Sequence, residues 1–133
     1  MSATIDGRAE ELLTARNFGN VATLRRDGSV LAVPVWVDVH DGRPALNTAE
    51  GRIWPRNLER DPRVTLTVTN MENPYEYVSI SGRVAERTRE GADEHIDALA
   101  KRYLGADIYP GRQPGEQRVI IRIEPERVRM RGG

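Results

Sequence analysis

Four arginines, Arg52, Arg56, Arg60 and Arg63, follow one another at offsets of 4, 4 and 3. On a helix those offsets fall on one side. Gly51 stands just before them, at a point where backbone can come close to a ligand. The first N–H groups of a helix lack intrahelical partners, and the helix dipole favours an anion there. Guanidinium groups add two-pronged, charge-assisted contacts to phosphate or carboxylate. The pattern therefore describes a phosphate site built on Arg52 and Arg56. The competing reading is a solvated helix whose arginines pair with Glu59 and Asp61.

No acid–base or nucleophilic constellation accompanies this segment. Cysteine is absent, which excludes disulfides, thiolate catalysis and Cys-ligated metals. The two histidines, His40 and His95, cannot make a three-His metal site, and no metal centre is expected. His40 abuts an Asp41-Gly42 turn and His95 falls on the charged side of a helix, so both are expected to be solvated. Ser2, Ser29, Ser79 and Ser81 show no sign of a His–carboxylate relay. No side chain is assigned a catalytic role, and an enzyme built on this chain would take its chemistry from a bound cofactor. Trp36, Trp54, Tyr75 and Tyr77 are four of the seven aromatic residues. They flank the Arg-rich segment or lie in strands that can reach it. Trp36 follows Pro34 at an expected bulge, where backbone and side chain can meet a flat ring; the bland alternative for either Trp is core packing.

These residues must be positioned by the elements between them. Ile5 to Arg16 reads as an amphipathic helix stopped by Asn17 and Gly19. The period then changes to two, giving a strand from Phe18 to Arg25. Asp27-Gly28 is a hairpin signal, and Val30 to Val39 is the return strand. Pro34 within it cannot donate to a ladder and marks an edge or a bulge. Pro44 to Thr48 is a third strand, and Gly51 to Arg60 a short helix with Pro55 in its first turn. Arg63 to Thr69 and Tyr75 to Arg87 are strands, with Gly82 a bulge or tight bend. Gly91 to Leu104 is a helix capped by Gly105. Ile108 to Glu116 is a loop, and Gln117 to Met130 supplies one or two closing strands. The reading is mainly β with α: one small antiparallel barrel of six to seven strands, two longer helices and one short helix.

Composition excludes several classes. The chain has 133 residues, with 20 basic and 20 acidic side chains and no net charge. Such a chain has no global field to hold nucleic acid or an anionic membrane. No apolar run approaches the roughly 20 residues that span a bilayer, and no signal-peptide core opens the sequence. The expectation is a single cytoplasmic domain over residues 1–133. Nineteen of the basic residues are arginine, the exception being Lys101.

The run Gly51-Arg52, Pro55-Arg56-Asn57-Leu58, Arg60-Asp61-Pro62-Arg63 resembles the flavin and deazaflavin oxidoreductase superfamily related to pyridoxamine 5′-phosphate oxidase. Val21-Ala22-Thr23-Leu24 with Pro34-Val35-Trp36, and Asn73-Pro74-Tyr75 through Gly82-Arg83-Val84, extend the resemblance to about residues 5 to 130. The subgroup it most resembles uses coenzyme F420, a deazaflavin. The resemblance implies a split β-barrel homodimer with cofactor sites at the interface and a small-molecule substrate. It places phosphate binding at Asn47, Thr48, Arg52, Arg56 and Asn57, and the ring beside Pro34, Val35 and Trp36. Tyr75 and Tyr77 match aromatic positions that face the site, from either subunit. Many deazaflavin-binding members carry Lys where this chain has Trp54, whose indole could pack on the ring instead. The implied activity is hydride transfer from reduced F420 to an unsaturated small molecule. An FMN enzyme of the same fold, and a non-catalytic cofactor- or haem-binding module, are the alternatives.

Overall fold

Seven strands and three helices form among residues 3–132, the part of the chain described by the computed structural model. In chain order they are α1 (Gly7–Thr14), β1 (Gly19–Leu24), β2 (Val30–Val35), β3 (Asp38–His40), β4 (Arg43–Ala49), α2 (Ile53–Arg60), β5 (Arg63–Thr69), β6 (Tyr77–Thr88), α3 (Ala92–Leu104) and β7 (Arg118–Arg131). The strands make one sheet in the order β2-β1-β5-β6-β7-β4-β3. Every neighbouring pair is antiparallel. The fold is the expected mainly β architecture of the split-barrel kind.

Strict alternation builds the core. Val21, Leu66, Val68, Val78, Ile80, Ile121 and Ile123 are buried on one face of the sheet, where Leu12 and Leu13 of α1 join them. Complete burial of such a side chain contributes about 1.5–3 kcal/mol. Pro34 lies on β2, an outermost strand of the order, as its missing N–H requires. Gly82 sits at a register shift between β6 and β7, and a Cβ there would stand 2.0 Å from the Glu124 carbonyl oxygen.

Several boundaries differ from the sequence reading. The first helix is 8 residues long, no longer than α2, because Asp6 and Ala15 are extended. The expected strand Val30 to Val39 is two strands, broken at Trp36-Val37. The Val37 N–H donates to Tyr103 Oη at 3.1 Å, and Trp36 stacks on the Tyr103 ring at 5.1 Å, so α3 holds this corner. Tyr75 precedes β6, and β7 is one continuous strand of 14 residues. Among the described residues no helix is long and apolar enough to cross a membrane.

Candidate functional site

A cleft of about 370 Å³ opens between the end of β2, the start of α2 and the inner side of α3. Pro34, Val35 and Trp36 form one wall, while Asn47, Arg52 and Trp54 line it from β4 and α2. Phe18, Ile96, Leu104 and Tyr109 complete the lining; the sequence reading did not assign them to the site. Trp54 is only 6% exposed and packs in the main core with Leu58, as the core reading had it, while part of its side chain also lines the cleft. Trp36 belongs to the α3 side, between the rings of Tyr103 and Tyr109.

The remaining expected residues are distributed differently. Arg56 and Asn57 line a neighbouring cleft with Arg25, Arg26 and Arg60. The Asn57 amide is buried and donates to Thr23 Oγ1 at 3.1 Å, tying α2 to β1. Thr48 is fully buried and, being adjacent on the strand, faces away from Asn47; its hydroxyl has no hydrogen-bond partner among the described residues. Tyr75 is 82% exposed, and Tyr77 opens β6; neither lines the cleft within one chain.

The four arginines of the stripe also part ways. Arg63 pairs with Asp61 at 2.7 Å and, by hydrogen bonding to it, holds that carboxyl down at about 2. Arg60 donates to the Leu24 carbonyl. Arg52 and Arg56 have no side-chain hydrogen bond or ion pair among the described residues, and Arg26 beside them has none either. Unpaired guanidinium groups on both sides of the start of α2 can receive an anionic group. Just before them, Arg87 and Arg89 hold Glu50 and so fix the β4–α2 turn.

A polar chain runs from the cleft into the protein. Asn47 Nδ2 donates to the Ala92 carbonyl at 2.8 Å and lies 3.1 Å from His95 Nδ1. Arg118 Nε donates to Asn47 Oδ1 at 2.9 Å, and its guanidinium also lies over the Tyr109 ring. His95 Nε2 is 3.3 Å from Asp38 Oδ2, and Arg102 pairs with Asp38 Oδ1 at 3.0 Å. Burial would raise the Asp38 carboxyl, but hydrogen bonds from His95, Arg102 and the Val39 N–H outweigh it and hold the group well below the usual carboxylate range. His95 is 7% exposed, which corrects the expectation of a solvated histidine. Its place among Ala92, Ile96, Leu99 and Tyr103 follows helical spacing and was the available signal. His40 is half-buried rather than a solvated turn residue, and it too reaches Asp38 Oδ2, at 3.3 Å. Asp38, His40 and His95 bring three metal-capable atoms within 4.8 Å of one another. Arg102 and Arg122 contact the same group, and two guanidinium charges oppose a cation there.

A family model described as pyridoxamine 5′-phosphate oxidase matches residues 5–132. No curated protein matches the sequence. Among solved structures, the chain is similar to one described as an F420 reductase, with 26% identity and a TM-score of 0.76 over 90% of this chain and 94% of that one. A conserved hypothetical protein from Mycobacterium tuberculosis is 25% identical, with a TM-score of 0.69 over 96% of this chain and 86% of that one. HupZ of Group A Streptococcus shares the fold, with a TM-score of 0.69 at 20% identity over 97% and 99% of the two chains. With residues 5–132, nearly its whole length, matched, the chain belongs to the pyridoxamine 5′-phosphate oxidase family.

Proposed function

We propose that the protein is an oxidoreductase that binds coenzyme F420 in the cleft and passes hydride to an unsaturated small molecule. The observation that carries this reading is a cleft with Trp36 and Trp54 in its lining and, at the start of α2, arginines unpaired among the described residues. The group fits the residues present. Pro34, Val35, Trp36 and Trp54 would hold a planar ring, with Arg52 and Arg56 taking its anionic tail. The similarity to an F420 reductase supports the deazaflavin over other flavin-type groups. When bound, the reduced deazaflavin supplies a hydride. The chain's own residues orient and exclude water: the apolar side chains of Phe18, Ile96 and Leu104 border the place where a substrate would lie against the ring. No side chain is assigned as proton donor.

A second copy of the chain completes the site in this reading. The outer face of the sheet carries flat rows of small side chains in register, Ala32, Ala22, Thr65 and Ser81, then Pro34, Asn20, Thr67 and Ser79. Arg127 and Arg129 end those rows. Tyr75 and Tyr77, which miss the cleft of their own chain, would then approach the partner's.

FMN is the second reading, favoured by one observation: the position that carries Lys in many deazaflavin-binding relatives is the buried Trp54. Titration of the purified chain with F420 and with FMN separates them. Quenching of deazaflavin fluorescence at micromolar concentration, with FMN bound at least about tenfold more weakly, supports F420. Tighter FMN binding would replace it, and failure of both would leave the cleft without a cofactor role.

A further inference from the structure

Donor and acceptor counting around Asn47 leaves one arrangement. Arg118 Nε can only donate, so the atom it meets at 2.9 Å is the Asn47 oxygen. The Ala92 carbonyl can only accept, so it takes one Asn47 Nδ2–H. The other Nδ2–H is directed at His95 Nδ1, which must therefore accept. The imidazole proton then resides on Nε2, where the ionised Asp38 carboxylate receives it. His95 is thus neutral, with its tautomer set from both ends. Both N–H bonds of Asn47 are engaged, and one lone pair on Oδ1 is all the capacity it has left. Toward the cleft, Asn47 can accept a hydrogen bond and cannot donate one. That removes it from the phosphate ligands the resemblance implied.

We propose that His95, outside the cleft, is a positioning residue that fixes Asn47 as an acceptor, so that the cleft selects a ligand bearing a ring N–H and loses this selection when His95 is protonated. The proposal rests on the cleft being the cofactor site and adds what it reads there. The imide N–H of a flavin or deazaflavin ring is a donor of this kind. Protonated His95 would carry an N–H on Nδ1 facing the Nδ2–H of Asn47. Turning the amide over relieves that contact but sets Nδ2–H against Arg118 Nε–H. No orientation of Asn47 then satisfies both neighbours.

The charged and titratable groups around His95 are few. From β3, Asp38 accepts its Nε2–H, and His40 Nε2 shares the same oxygen at 3.3 Å. From α3, Arg102 holds the second Asp38 oxygen. From β7, Arg122 donates to His40 Nδ1 at 3.3 Å, and Arg118 acts through Asn47. Arg122 fixes His40 in the same neutral tautomer, so its ring has no free nitrogen to take a proton from His95. Both imidazoles thus present N–H to Asp38, and a metal there would need that proton moved to nitrogens that already face donors.

The test compares wild type, His95→Asn and His95→Leu. Asn places an oxygen near the position of Nδ1, accepts from Asn47 and does not titrate; Leu removes the acceptor. F420 and FMN are the probes, titrated from about pH 8 to about pH 5, the interval in which histidine changes charge. Wild type should lose about tenfold in affinity across that range relative to His95→Asn, a comparison that cancels titration of the cofactor itself. His95→Leu should bind about tenfold more weakly at the upper pH. Equal pH dependence in wild type and His95→Asn would overturn the proposal. If neither probe binds wild type at the upper pH, the cofactor reading has failed, and ring nitrogen NMR of wild type still decides the role of His95. A neutral Nε2–H tautomer, with Asn47 side-chain amide signals that move as His95 protonates, supports positioning. An Nδ1–H tautomer, or amide signals that stay fixed, overturns it.

Discussion

Arg52 and Arg56 are the residues on which anion binding turns, because they alone of the stripe are unengaged while Arg60 and Arg63 are held by the fold. Arg52→Ala and Arg56→Ala should each weaken F420 binding by about 1.5–3 kcal/mol, the scale of a hydrogen bond to a charged group. Arg83→Ala, which removes an exposed pair with Glu126, should change affinity little in the same titration. Unchanged affinity in both site variants would reduce the stripe to a solvated face. Trp54 makes a second test. At 6% exposure it cannot be exchanged for Lys without burying an ammonium group, so Trp54→Lys should lower the melting temperature by about 5 °C or more. Trp54→Phe should keep the fold, measured by circular dichroism, and lose ring affinity. The short helix that carries Arg56 and Arg60, and the place of Pro34 on an outermost strand, were legible in the sequence because their signals are local. The roles of Asn47, His95 and Arg118 were not, because each depends on a partner more than forty residues away.

Strands β6 and β7 pair with a register shift at Gly82, where the β7 backbone leaves no room for a side chain. Gly82→Ala would press a methyl group against the Glu124 carbonyl and should destabilise the fold by about 1–3 kcal/mol, read as a lower urea midpoint. The docking of α3 on β3 depends on Asp38, which joins Arg102 and His95. A carboxyl held below its unfolded pKa of about 3.9 adds stability above that pH and loses it as pH falls. The melting temperature of Asp38→Asn should therefore lie furthest below wild type near neutrality, and the gap should begin to narrow only below about pH 4 and close as pH falls through the depressed pKa of Asp38. A gap independent of pH would mean that packing, and not charge, docks α3. Turn signals such as Asp27-Gly28 and the alternation of β5 made most elements readable. The break between β2 and β3 was not, since Val35, Trp36 and Val37 all favour strand; Tyr103 of α3 imposes it from a distance.

The molecule as a whole presents two faces of the same sheet, one packed on its core and one carrying rows of small side chains that end in Arg127 and Arg129. Those rows suit close approach by a second copy, but the two arginines have no acidic residue beside them in register. Two such faces should repel weakly unless an anion lies between them. Light scattering should give about twice 14.9 kDa, and phosphate or F420 should shift a dilute sample further toward that mass. A monomer at micromolar concentration with F420 present would remove the second copy from the site. The central claim is that F420 occupies the cleft bounded by the β2–β3 corner and the start of α2. Backbone deuterium exchange with and without F420 tests it most directly. Slower exchange in peptides covering residues 33–37 and 50–57, with α1 unchanged, is the result predicted; F420 bound with those two segments unprotected would contradict it.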